Sequence, residues 1–264
     1  MKTQLADHVI YHLPIEKELI SLNELIGKNI SLRYENEIYC TSCDKKINKS
    51  FQGFCYTCFV SVPEAADCNL RPELCLAHEG KGRNTEWEKA HHMQEHFVYL
   101  ALSNSVKVGV TRSTQVPTRW IDQGASSVIR LAKVPYRYLA GVIEVEMKKY
   151  FTDKTNWQKM LTLSLASLHR EGEIGTSEFI VAEKRRARNF FSAELLKYYS
   201  EDDLITTLNY PVLKYPEKVK SIDFEKQNVF VGKLIGIKGQ YLMFEDNSVV
   251  NVRKYEGYVV CVEW

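Results

Sequence analysis

Four cysteines, Cys40 and Cys43 followed by Cys55 and Cys58, form two Cys-x-x-Cys knuckles with eleven residues between them. Each knuckle brings two sulfurs to one tight turn, and the Asp44–Phe54 stretch between them is long enough for a short hairpin. Together they can close a tetrahedral thiolate cage around zinc. Phe51, Phe54, Tyr56 and Phe59 supply the aromatic cover that so small a ribbon needs. Disulfides or redox dithiols are the competing reading. Met1–His8 carries no apolar signal core and neither motif sits in a βαβ pattern, so structural zinc is the expectation. A closed four-sulfur site has no open coordination position. It folds a module and catalyses nothing.

A second metal-like set follows: Cys68, Cys75, His78, His91, His92 and His96. His92 and His96 stand four apart, so on a helix they share a face, as paired zinc ligands require. The expected ligands of a second zinc are Cys68, Cys75, His92 and His96, with His78 as substitute. The bland alternative is surface histidines and two buried thiols.

These groups need elements to hold them. Ile15–Leu25 carries leucines at helical spacing and Gly27 stops it, which predicts a short helix. Asn29–Tyr34 alternates as a strand, residues 35–37 turn, and Ile38-Tyr39 leads into the first knuckle. Strands are expected over 97–102, 106–110 and 127–134, with a short helix over 117–123 and a longer one over 136–151. Helices are also expected over 157–169 and 176–199. Beyond about 204 the chain turns to short β-branched runs, the signature of a small antiparallel barrel or roll.

Within this frame Val98-Tyr99-Leu100, Lys107-Val108-Gly109, Arg119-Trp120 and Ala140-Gly141-Val142-Ile143-Glu144 occur in an informative order and spacing. They resemble the core of the GIY-YIG nuclease superfamily, over about a fifth of the chain. The layout as a whole also looks like an uncharacterised bacterial family known only as a domain of unknown function. The first resemblance implies a three-stranded antiparallel sheet flanked by helices and a metal-dependent cut of a phosphodiester. By it, Tyr99 positions or activates water, Arg119 neutralises phosphate charge, and Glu144 holds one Mg or Mn ion. Lys107 stands where the second motif has tyrosine, and Phe97 where the first has glycine. Each residue also has an ordinary reading. Tyr99 suits a strand core, Arg119 can pair with Asp122, and Glu144 lies four before Lys148. Periodicity alone puts Glu146, not Glu144, on the apolar stripe between Val142 and Tyr150, and Glu146 is the reserve metal ligand.

The fold class read from the sequence is therefore α+β: an N-terminal zinc ribbon, a small GIY-YIG-like three-stranded antiparallel sheet with flanking helices, and a C-terminal small β-barrel or roll. Five segments are expected: 1–62 with the ribbon, 63–97 rich in Cys and His, 98–155 with the core, a helical 156–203, and a barrel-like 204–264. A formal net charge of +2 gives no whole-chain field for nucleic acid. The basic run Lys184–Arg188 is more often a solvated helix face than a phosphate track. No stretch is apolar enough to span a bilayer, and seven cysteines in zinc-like spacing fit a reducing compartment, so a cytoplasmic location is expected. Two functions remain: a metal-dependent endonuclease acting on DNA or RNA, or a non-catalytic, zinc-stabilised module that binds nucleic acid or a protein with a degenerate core.

Overall fold

The computed structural model describes residues 1–15, 18–152, 156–163 and 176–264. The chain forms two compact units, one of residues 1–62 with 209–264, the other of residues 63–208. The five segments read from the sequence thus regroup into two. Both units are mixtures of helix and largely antiparallel sheet. Among the described residues, no helix is long and apolar enough to cross a membrane.

The first unit opens with β1 (Lys2–Gln4), β2 (Ile10–Ile15) and β3 (Glu18–Ser21), which pair in that order. Among the described residues, the helix expected over 15–25 does not form. Leu13 and Pro14 of β2 face Ile20 and Leu19 of β3, and only a three-residue turn of 3-10 helix remains at Asn23–Leu25. Leucines three apart satisfied the helical template, but Pro14 favours extended backbone and Leu19 is half exposed.

β4 (Asn29–Tyr39) is one long strand, with Ile30, Leu32, Tyr34 and Ile38 buried along it. The turn expected at 35–37 is instead a local kink, where Asn36 takes φ of 59°. β5 (Lys46–Ile47) pairs with the end of β4, and α1 (Tyr56–Ser61) follows the second knuckle.

The second unit contains α2 (Thr85–His92), β6 (His96–Leu102), β7 (Val106–Arg112), α3 (Thr118–Asp122), β8 (Ser127–Val134), α4 (Arg137–Met147), α5 (Trp157–Thr162), α6 (Ser177–Arg188) and β9 (Ile205–Thr207). Part of the helix expected over 157–169 lies outside the described residues, and α6 stops well short of residue 199. The sheet has four strands in the order β7-β6-β8-β9, antiparallel throughout, one more than the three expected. Every residue of β6 is buried, as a strand covered on both faces must be. Val98, Leu100 and Leu102 pack with Ile143 and Met147 of α4 and Ile180 of α6. Tyr99 points the other way and meets Trp120 of α3 edge-on, with centroids 5.9 Å apart. Strand alternation therefore assigns the two faces of this sheet to different helices.

The first unit resumes with β10 (Lys220–Ser221), β11 (Val229–Lys238), β12 (Tyr241–Phe244), β13 (Ser248–Asn251) and β14 (Tyr258–Glu263). They do not close a barrel. Their order is β10-β13-β12-β11-β4-β14, with β4 inserted between β11 and β14. Leu32 faces Phe230 on one side and Val262 on the other. An N-terminal strand takes the place at which the C-terminal strands would have had to pair with each other.

Candidate functional site

The four-cysteine cluster grows from the end of β4. The Tyr39 amide donates to Gly257 O at 2.7 Å and Thr41 N to Gly53 O at 2.9 Å, which fixes the first knuckle over the sheet. Cys55 caps α1, its sulfur accepting from Cys58 N at 3.4 Å, the turn that aims both sulfurs of a knuckle the same way. All four cysteines are free, and their sulfurs lie within 4.8 Å of one another. Cys43 and Cys55 sulfurs are 4.0 Å apart, near the ~3.8 Å edge of a zinc–thiolate tetrahedron and far from the ~2.05 Å of a disulfide. Burial opposes ionisation of Cys40. The backbone amides of Cys55, Ser42 and Cys43 outweigh it and hold the thiol down to about 6, so a thiolate is available near neutral pH. The donor set fits a structural zinc.

The second set forms a different quartet from the one the sequence suggested. Cys68, Cys75 and His92 come together, with Glu88 as the fourth member, and all four are buried. His96 is not among them. α2 ends at His92 and β6 begins at His96, so the helical i, i+4 relation that would have joined them does not exist. His96 Nδ1 donates to Gln94 O at 2.7 Å, and burial pushes the imidazole down to about 4, keeping it neutral. His78 is stacked with Tyr138 at 4.5 Å and Tyr136 at 5.4 Å, outside the quartet. Within the quartet, hydrogen bonding from Cys68 favours the Cys75 thiolate, which burial opposes and His92 supports, and holds it down to about 4.

A polar cavity of about 150 Å³ runs along β7, the outer strand of the second unit's sheet. Lys107 and Gly109 of β7 line it, with Arg119 and Gln123 from the α3 side, Arg137, Glu144 and Lys148 from the α4 side, and Asn69, Leu70 and Pro72 closing one wall. Tyr99 lies behind this lining, fully buried. With the Gln123 amide turned to satisfy its neighbours, its nitrogen donates to Tyr99 Oη at 2.8 Å. Its oxygen then accepts from Arg119 Nε and a terminal guanidinium nitrogen, each at 3.2 Å. Gly109 leaves the room for this: a Cβ there would stand 2.7 Å from Tyr99 Oη. Burial pushes the Tyr99 phenol up to about 12, against the pull of Arg119.

Lys107 is 4% exposed, and burial, then the charge of Arg119, pushes its amine down to about 8. Glu144 belongs to the buried α4 stripe Ala140, Ile143, Glu144 and Met147. Burial raises its carboxyl, and the neighbouring Lys148 opposes the shift. Lys148 Nζ forms an ion pair with the buried Glu144 Oε2 at 3.3 Å. Glu146, the reserve, points outward and pairs with Lys149 at 2.7 Å.

Residues 27–260 match a family described as Protein of unknown function (DUF2797). The chain belongs to this family. No curated protein and no solved structure matches it. The DUF2797 match spans both cysteine clusters and the cavity, but the family carries no assigned activity and speaks for neither a nuclease nor a nucleic-acid binder. Nor does it support a ribbon or a GIY-YIG core.

In this DUF2797 chain the basic run on α6 is largely neutralised. Lys184 is buried, bonded to Asp202 O and paired with Asp203 at 3.2 Å; Arg185 pairs with Asp203 at 3.2 Å and Arg188 with Glu201 at 3.0 Å. Lys184 is thus a packed residue, while Arg185, Arg186 and Arg188 stay half exposed or more, as on a solvated helix face. Three site residues escaped the sequence reading. Glu88 precedes His92 by four on α2 and Gln123 follows Arg119 by four at the end of α3, so helical spacing could have found both. Arg137 gives no such signal: its role is set by a distant loop, where it donates to Cys68 O and Asn69 O at 2.9 Å each.

Proposed function

We propose that this chain is a divalent-metal-dependent endonuclease that acts on nucleic acid through the cavity along β7. The observation that carries the reading is the meeting of Lys107, Arg119 and Glu144 on one small polar cavity, with Tyr99 joined to Arg119 through Gln123. Four residues far apart in sequence converge there from two strands and two helices, as a reaction centre requires. The resemblance to the GIY-YIG core supports the same assignment.

Glu144 fits the part of an ion holder, since it is a buried carboxylate on the cavity wall whose Oε2 already faces a cation, Lys148 Nζ at 3.3 Å. A bound magnesium or manganese ion would supply Lewis-acid stabilisation of charge on the phosphate. Arg119 meets the phosphate with a guanidinium already oriented by Gln123, so little order is lost on binding. Lys107, with an amine near 8, is partly neutral at mildly alkaline pH and takes the proton of the attacking water. Tyr99, held near 12, stays protonated and positions Gln123.

A second reading has its own support. Among the described residues of the lining, Lys107, Arg119, Arg137 and Lys148 outnumber the carboxylate Glu144, a balance suited to holding phosphate without cutting it. Labelled single-stranded, duplex and branched DNA and RNA, each incubated with magnesium or manganese, separate the two. Metal-dependent strand cleavage is the expected result. Binding with no cleavage of any substrate overturns the nuclease and leaves the phosphate-binding module.

A further inference from the structure

The segment before α2 has little apolar core of its own. Residues 63–79 form four short 3-10 turns, at Pro63–Ala65, Asp67–Asn69, Pro72–Leu74 and Ala77–Glu79. The buried apolar cluster there consists of Ala66, Cys68 and Cys75, with Ala77 and Tyr138 against it, while Leu70, Leu74 and Leu76 are exposed. Arg137 bonds the segment at Cys68 O and Asn69 O, at 2.9 Å each, and the four buried polar groups at its two cysteines and on α2 remain to be explained.

We infer that Cys68, Cys75, Glu88 and His92 hold a second zinc ion, and that this ion fixes the loop forming one wall of the β7 cavity. All four side chains are more than nine-tenths buried, and one ligand atom from each lies within 4.8 Å of the others. Cys75 Sγ is 3.4 Å and Glu88 Oε2 3.2 Å from His92 Nδ1. Zinc with mixed sulfur, nitrogen and oxygen ligands has tetrahedral edges of roughly 3.4–3.8 Å, so a small contraction toward one point satisfies the geometry.

Charge leads to the same conclusion. Glu88 Oε1 accepts from Arg83 N at 3.0 Å, but a buried carboxylate beside two thiols needs a cation as well. Zinc with two thiolates and one carboxylate leaves a single negative charge, and the Arg137 guanidinium, bonded to Cys68 O, lies beside it to offset that charge. Gly82 admits the carboxylate: a Cβ there would stand 2.3 Å from Glu88 Cδ.

The mechanical consequence follows from connectivity. Asn69, Leu70 and Pro72, which line the cavity, lie between the two cysteine ligands. Gly141 of α4 receives the same loop so closely that a Cβ would come 2.1 Å from Glu73 N. The ion therefore closes the loop at Cys68 and Cys75 while α4 supports it between them.

Metal analysis of the purified full chain tests the site independently of any cleavage. Two zinc ions per chain are expected, falling to one in Cys75→Ser and Glu88→Ala and staying at two in His96→Ala. Cys55→Ser, which disrupts the ribbon, should retain the second ion. If a variant fails to fold, X-ray absorption of the unaltered protein still decides. A mean shell of three sulfurs and one nitrogen or oxygen per zinc supports the Cys₂GluHis site. One zinc per chain with an all-sulfur shell overturns it, as does a Cys68–Cys75 disulfide found by thiol counting.

Discussion

Lys107 stands where the resembling nucleases place a tyrosine, and its surroundings make that exchange chemically reasonable. Burial and Arg119 bring its amine down to about 8, within reach of proton transfer near neutral pH, whereas Tyr99 at about 12 is out of reach. The cleavage rate should therefore rise as pH passes through about 8, and Lys107→Met should lower it about 100-fold or more while removing that limb. A pH–rate profile unchanged in Lys107→Met would refute the assignment. The same shift affects stability. Below about pH 8 both folded and unfolded lysine are protonated and the burial penalty is fully present. Between 8 and 10.5 the unfolded chain binds more protons, so stability rises with pH. Lys107→Met should flatten that rise in urea melts at stepped pH. At this scale the sequence was only partly legible. Motif spacing pointed to Glu144 and periodicity to Glu146, and the structure buries Glu144 because the α4 stripe runs through Ala140, Ile143 and Met147, while Tyr150 is half exposed. The ribbon cysteines were readable because two residues per turn and four sulfurs make a self-contained pattern. Glu88 was obscured because a carboxylate on a helix is ordinarily a solvated one.

Among the elements, α4 has two tasks. One side packs Ile143 and Met147 against β6, and Gly141 admits the loop of residues 68–75 at backbone distance. Gly141→Ala adds a methyl that meets Glu73 N and the Pro72 carbonyl carbon, neither of which can rotate away. Overpacking of this kind costs about 1–3 kcal/mol, and chemical denaturation should show a loss of that size. An unchanged midpoint would mean that the loop does not seat on α4. The strands over 97–102, 106–110 and 127–134 were legible because each is an uninterrupted apolar or alternating run bounded by turn residues. The helix expected near residue 20 failed for the converse reason. Leu19, Leu22 and Leu25 at spacing three fit a helix, but they also fit a strand residue, the position after the strand and a following 3-10 turn; the cross-strand pairing of Leu13 with Ile20 decides between them.

At the level of the whole molecule, β4 links the two ends of the chain. It lies between β11 and β14, so residues 1–62 depend on 209–264 for both of its neighbours. Hydrogen exchange should find the slowest amides in β4 and β6, one in each unit. A chain ending at Leu208 should lose protection in β4 and keep it in β6; protection retained in both would contradict the pairing. No sequence pattern announces such a crossover, since β-branched runs at the C-terminus look the same whether they close on themselves or admit a distant strand. The central claim concerns the cavity along β7, and one comparison tests it most directly: nucleic-acid binding and manganese-dependent cleavage measured side by side for the unaltered protein and for Glu144→Ala. Cleavage should fall at least 100-fold in Glu144→Ala while affinity changes less than about threefold, because the carboxylate serves the ion and the cations serve the phosphate. Cleavage that survives Glu144→Ala undiminished would contradict the claim.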